Sequence, residues 1–376
     1  MKAMPEAEIN PNQPRNAGID WLRIHCILLL FPFHTARVFD AWEPNYIKDA
    51  VNSFSTWFVL LTSYWFMPLM FVIAGSSAYY ALEKRTSSQF FKERVLRLLV
   101  PLLAGIVLVV PVQGYLALLQ QYGYAGSYFA FLPGYFTNFS DLTGYTGGFT
   151  PGHLWFLLYL FVISTALLPV LRRIRRSDRE KPVLFGTMAS LFWAFIPLTV
   201  ASALPAVGGK NPFHYALLFL LGYWLAHRDL FDILKAYRAR LLIAALAAGA
   251  CFVLVGIRLN FASGYQWQSG VITLMMNLAA WLFILALLGT VQAHCNHSSK
   301  VLHYCGNASF PVYILHQSVM MAVAFYVVGT TLPAWTKFLL IMLFSLLLSL
   351  AGYELFRRIS ITRILLGMKG MQSARQ

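Results

Sequence analysis

The stretch GIDWLRIHCILLLFPFHTARVF, residues 18–39, decides the class of this protein. About 20 predominantly apolar residues in helical form are enough to cross a bilayer, and this segment has that length while keeping Arg23 and His34 within it. Ionisable groups inside a span are costly, so they usually face a polar cavity and mark function. Eleven residues of helix separate the two side chains by roughly 16 Å. A fixed positive charge thus sits near the start of the span, with a titratable imidazole deep within it or near its far side. Such spacing suits a charge that grips one end of a long donor and a base that works on the other.

The rest of the chain agrees. Hydrophobic residues make up 59% of 376 and charged residues 11%, with a mean hydropathy of +0.62. A soluble domain has roughly a quarter charged residues, so an all-α polytopic membrane protein is expected. Residues 1–17 are polar, contain Pro5, Pro11 and Pro14, and lack the apolar core of a cleavable signal. The net charge of +15 does not indicate nucleic acid, because Lys and Arg gather in particular loops.

Hydropathy suggests about ten spans in one bundle: 18–39, 54–82, 97–117, 153–171, 183–204, 213–227, 241–258, 269–292, 310–329 and 337–356. Segment 83–97 carries Lys84, Arg85, Lys92, Arg94 and Arg97, and RRIRRSDREK follows the fourth span. Arg228, Lys235, Arg238 and Arg240 come later, then Arg357, Arg358, Arg363 and Lys369. In contrast, 118–152 has no Lys or Arg and 205–212 has only Lys210. This asymmetry places both termini in the cytoplasm and the 118–152 loop outside. The organisation expected is a polar tail at 1–17, a single membrane domain at 18–358 and a basic tail at 359–376, without repeats. Cys26, Cys251, Cys295 and Cys305 form no CxxC pair, so no disulfide framework is expected. The loop HCNHSSKVLHYC adds His294, His297 and His303, but its spacing fits no standard zinc pattern, and no metal is assigned.

Several motifs together resemble the integral-membrane acyltransferases of the acyltransferase type three family, over almost the whole chain. They are Arg23 followed by His34, FVIAGSSAYY closing span two, and FKERVLRLLVP (91–101) with its Arg-x-x-Arg pair. GHLWFLLYLF (152–161), NASFPVYILH (307–316) and YELFRR (353–358) complete the set. Within the family the chain is most similar to the group associated with adding succinyl groups to periplasmic glucans. The resemblance implies a cytoplasmic acyl-CoA donor, succinyl-CoA being the one suspected, and a hydroxyl on an extracytoplasmic carbohydrate as acceptor. It also implies a place in the inner membrane of a bacterium.

Read on their own, the residues support this unevenly. Pro32 precedes His34, and proline inside a helix removes a backbone hydrogen bond and clashes with the preceding turn. The freed carbonyl needs polar neighbours, which suits a cavity lined by water or substrate. Neutral imidazole can take a proton from an attacking hydroxyl near physiological pH, so His34 is the catalytic candidate, as base or nucleophile. The bland alternative is a buried histidine bonded to a backbone carbonyl. His25, nine positions away on the same helix, faces elsewhere and is read as structural. Arg94 and Arg97 are three apart, hence on one helical face at the cytoplasmic surface. Paired guanidinium groups match phosphate oxygens bidentately, so these two, with Arg23, are the candidates for holding the CoA phosphates. Positive-inside anchoring is the alternative for them and for Lys92, and a local pair with Asp20 is a further one for Arg23.

The outer segment 118–152 holds ten aromatic residues, with Asp141 its only charge. They form either a platform for sugar faces or an interfacial belt. His153 and Trp155, Asp141, His316 and Glu354 are carried as acceptor-site or cavity-lining candidates. A satisfied core histidine is the alternative for His316, and a structural ion pair the better reading of Glu354. Asn307 and Ser309 read as a helix N-cap. Two rival classes remain: a secondary transporter using the same buried charges for an anionic or sugar-like solute, and a non-catalytic assembly partner. The partners expected are acyl-CoA, a carbohydrate and the lipid bilayer, with no nucleic acid; assembly as a homo-oligomer is left open.

Overall fold

A computed structural model describes residues 16–140, 142–176, 187–264 and 266–368. Among them the chain is helical throughout, with one isolated bridge between Val207 and Lys210 and no strand. Helix α1 (Ala17–Phe39) starts where Asn16 accepts from the Ile19 amide, and it continues through Pro32. Helix α2 (Ser53–Glu83) follows a thirteen-residue connection, 40–52, and also carries an internal proline, Pro68. The third span, Ser87–Gln121, is assembled from α3 (Ser87–Arg94), a π-helical turn (Val95–Leu99), α4 (Val100–Leu108) and α5 (Pro111–Gln121). Helix α6 (Tyr128–Thr137) lies within the aromatic segment, and a 3-10 turn (Gly152–Leu154) leads into α7 (Trp155–Ala166) and α8 (Leu168–Arg176). The second half comprises α9 (Met188–Phe192), α10 (Phe195–Ser202), α11 (Pro212–His227), α12 (Phe231–Arg258), α13 (Trp267–His294), α14 (Lys300–Val328), α15 (Ala334–Phe356) and α16 (Ser360–Leu365).

Seven of these helical stretches are long and apolar enough to cross a membrane, and an eighth crossing arises if the pair ending in α7 and α8, bent by 54°, is one span. The ten expected from hydropathy exceed this because an apolar average does not register a break or a shortfall in length. Segment 183–204, whose first four residues lie outside the described ones, is divided between α9 and α10. Segment 213–227 becomes the sixteen-residue α11, about 24 Å long against a hydrocarbon core of about 30 Å. The last-but-one span starts at Lys300, capped by Ser299, so Asn307 and Ser309 lie inside α14 rather than at its N-cap. Ser309 instead donates to the Cys305 carbonyl (2.6 Å) one turn back.

Small residues let the helices approach closely, as they do where lipid supplies little driving force for association. A Cβ on Gly75 of α2 would come within 1.9 Å of the Phe219 carbonyl oxygen in α11. One on Gly222 of α11 would come within 2.0 Å of the Val72 oxygen. Ser76 donates across the same contact to the Gly222 carbonyl (2.8 Å). Connection 40–52 is held by fully buried Asp40, which pairs with Arg37 (2.6 Å) and Lys48 (3.0 Å), and by Asp49 paired with Lys337 of α15 (2.9 Å). Gln120 and Gln121, at the end of α5, bond the backbone of Lys48, Asn45 and Tyr46. This ties α1, α5 and α15 together at the end of the bundle nearest His34.

Candidate active site

Three histidines from three elements converge inside the bundle. His34 is two residues after Pro32 on α1, and His316 is five after Pro311 on α14. His153 stands on the 3-10 turn before α7. The His34 and His316 rings are 5.3 Å apart between centroids, and the His316 and His153 rings 5.1 Å apart at 89°. His316 is fully buried, His153 is nearly so, and His34 is half-buried.

The turn that carries His153 is built from the aromatic segment. Gly152 adopts φ +51°, where a side chain would be strained and would meet Val110. Its amide donates to Thr150 Oγ1 (2.9 Å), and the Thr150 carbonyl accepts from the buried Tyr135 hydroxyl (3.1 Å). Burial pushes that phenol up to about 12, so it stays a donor at all ordinary pH. Phe131 and Tyr135 therefore serve the core, while Phe129, Phe136 and Phe139 are exposed. The core role of Phe131 and Tyr135 is neither the sugar platform nor the interfacial belt expected of this segment.

Hydrogen bonds assign the tautomers. Gln113 Nε2 lies 3.0 Å from His153 Nδ1, and His153 Nε2 lies 2.9 Å from the Ile314 carbonyl. The amide donates and the carbonyl accepts, so His153 is neutral, with its proton on Nε2. Gln113 Nε2 also donates to Ser318 Oγ (2.8 Å), which donates to the Val109 carbonyl (2.7 Å). His316 Nδ1 donates to the Tyr313 carbonyl (2.6 Å), leaving Nε2 as a buried lone pair without a partner. Gln113 Oε1 and Gln317 Oε1 are buried without partners too. A buried polar atom left unsatisfied costs about 1–3 kcal/mol, so the His316 lone pair beside the other two rings marks a place where water or a polar substrate group belongs. His34 makes no hydrogen bond among the described residues.

A second cluster lies about 16 Å along α1 from His34. Arg23 pairs with Asp20 (3.0 Å), the local pair anticipated for it, and also donates to Ser77 Oγ of α2 (2.7 Å). Arg94, half-buried, covers the Phe90 ring at 4.4 Å and lies within electrostatic reach of Arg23, Arg85 and Arg97. Arg97 is exposed. The π-helical turn falls between Arg94 and Arg97, so their relation is not the simple one-face pairing of an α-helix.

The remaining candidates make other contacts. Glu354 accepts from Tyr304 (2.9 Å) and pairs with Arg357 (2.7 Å), apart from the histidines and in the structural role favoured for it. Trp155 packs on Tyr215 (5.2 Å) and lies under Lys210, whose Nζ is 5.3 Å from the ring centroid. Burial and the nearby Arg37 push the Lys210 amine below its ordinary range. His25 is exposed and bonds the Trp21 carbonyl. Asp141 lies outside the described residues. Gln113, Tyr313 and Ser318 were not singled out from the sequence. The signal available for Gln113 was a lone amide in the apolar run VLVVPVQGYLALL.

A family model described as an acyltransferase domain matches residues 16–354. Glucans biosynthesis protein C of Escherichia coli K12 is 25% identical over 380 residues, covering 94% of this chain and 95% of that protein. The proteins of that name from strains O157:H7 and HS show the same figures. No solved structure matches the chain.

Proposed function

Because the chain belongs to the family of acyltransferases defined by that domain, we propose that it moves an acyl group through the membrane to a hydroxyl of an extracytoplasmic glucan or related carbohydrate. The donor in this reading is a cytoplasmic acyl-CoA, with succinyl-CoA the first to try. Its phosphates are held at Arg23, Arg94 and Arg97, where guanidinium groups offer bidentate donors. The pantetheine arm runs inward along α1, and the thioester meets His34. The acceptor enters from the opposite face of the membrane, and both termini lie in the cytoplasm. The observation that carries the proposal is the arrangement on one helix of an arginine among other arginines at one end and a histidine among other histidines about 16 Å away. Bringing donor and acceptor together at such a centre converts a bimolecular step into an effectively unimolecular one.

The test is purified protein in proteoliposomes, given succinyl-CoA and a neutral glucan, with CoA release and product mass read together. Release of CoA matched by a glucan heavier by one succinyl group supports the proposal. Solute uptake into the vesicles without CoA release would replace it with the transport reading.

A further inference from the structure

We infer that the two facing histidines divide the reaction: His34 accepts the acyl group covalently, and His316 Nε2 is the base that removes the proton from the acceptor hydroxyl. The inference rests on the proposed acyl transfer and extends it to a residue and an intermediate.

The two rings differ in what they are free to do. His316 is fully buried and anchored, with Nδ1–H donated to the Tyr313 carbonyl at 2.6 Å. Anchoring one ring nitrogen fixes the tautomer and presents the other as a lone pair, which is how a positioned general base is made. That lone pair has no partner among the described residues, and the ring is 5.3 Å from His34. Full burial leaves no room on His316 for a covalent adduct. His34 is half-buried and makes no hydrogen bond among the described residues, so its ring can reach a thioester and carry an acyl group. His153 cannot take either part as it stands: Gln113 occupies its Nδ1 and the Ile314 carbonyl its Nε2. Its contribution is to back the His316 ring edge-on at 5.1 Å.

The steps balance. A neutral His34 nitrogen attacks the thioester carbonyl, and the C–S bond breaks to leave CoA thiolate and an acyl-imidazolium. The imidazolium N–H gives its proton to the departing thiolate, leaving CoA thiol and neutral acyl-imidazole. The acceptor O–H then loses its proton to His316 Nε2 as the oxygen attacks the acyl carbon. The departing His34 imidazolate takes that proton back, and both histidines return to their starting state.

His316→Asn is the discriminating variant, because its amide can keep the bond to the Tyr313 carbonyl while the Nε2 lone pair is lost. The native protein given succinyl-CoA without acceptor should gain one acyl group on His34, located by peptide mass, and should lose it when glucan is added. His316→Asn should hold the acyl group and discharge it roughly 10²–10⁴-fold more slowly, the range for loss of a general base, with CoA affinity unchanged. His34→Asn should never be acylated. Discharge at the native rate in His316→Asn, or turnover in the native protein with no acyl-His34 even on rapid quenching, would overturn the inference while leaving the transferase reading intact. A second measurement needs no CoA donor. Diethylpyrocarbonate forms an N-acyl bond on exposed imidazole, so His34 should be modified before His316, and its carbethoxyl group should hydrolyse more slowly in His316→Asn. That result stands even if the protein does not use acyl-CoA. Equal hydrolysis rates would remove His316 as the base.

Discussion

His34 packs against the Phe33 and His316 rings and makes no hydrogen bond among the described residues, so its removal should cost chemistry and little structure. In His34→Ala, acyl transfer should fall by at least the roughly 10²–10⁴-fold typical of a lost base. CoA affinity should hold, because the proposed phosphate site is about 16 Å away along the helix. Near-normal transfer at matched expression would disprove histidine catalysis at this position. Lys210 makes a different kind of prediction. Its amine is pushed down by burial and by Arg37, so the fold disfavours the charged form. That cost is present at neutral pH and is relieved as pH rises through the lowered folded value toward the ordinary one. Melting temperatures of the native protein and Lys210→Met, compared from pH 7 to pH 10, should therefore shift in favour of the native lysine. A constant difference would mean the amine is as well solvated as in the unfolded chain. At this scale the sequence was informative where a residue is anomalous in its setting: charge and imidazole in an apolar run single out Arg23, His34 and His316. It was silent on partners. Nothing in the spacing of Gln113, His153 and Ser318 says that one amide joins the other two, because that contact depends on how α5 and α14 pack.

Among the elements, the α2–α11 contact is the least forgiving. The Cβ positions at Gly75 and Gly222 fall on backbone carbonyls, which cannot rotate away as a side chain can. Overpacking a tight core costs typically 1–3 kcal/mol, and a backbone clash sits at or above the top of that range. Gly222→Ala should give a protein that loses its monodisperse size-exclusion peak in detergent, while Gly306→Ala, with open space at its Cβ, should be indistinguishable from native. If both behave alike, the close approach is not as described. Helix existence was legible from hydropathy, and helix boundaries less so. Asn307 and Ser309 have the composition of a cap, but Ser299 takes the same role eight and ten residues earlier, and α14 begins there. The break after Phe192 falls inside the apolar run LFWAFI, with nothing polar to announce it, whereas the break after Ala166 lies between Ser164–Thr165 and Pro169.

For the molecule as a whole, the proposal is vectorial and stands or falls with orientation. A reporter fused within 118–152 should be extracytoplasmic and one within 172–182 cytoplasmic; the reverse would put the arginines on the wrong side for a cytoplasmic donor. Arg97→Ala should weaken CoA binding far more than it lowers yield, and Arg97→Lys should restore it only in part, since an ammonium cannot reproduce a bidentate fork. Full recovery with lysine would mean that the site supplies charge alone. The π-helical turn at Val95–Leu99 adds a consequence of its own. Such a turn holds one residue more than the α-helix around it needs, so the third span behaves as a regular helix with a single-residue insertion. Deleting Leu96 should let the backbone close into an unbroken α-helix with the turns on either side left in their present register, which would spare the fold. Arg94 and Arg97 would then stand two residues apart on a regular helix with neither side chain altered, and CoA affinity alone would show whether the extra residue shapes their common grip.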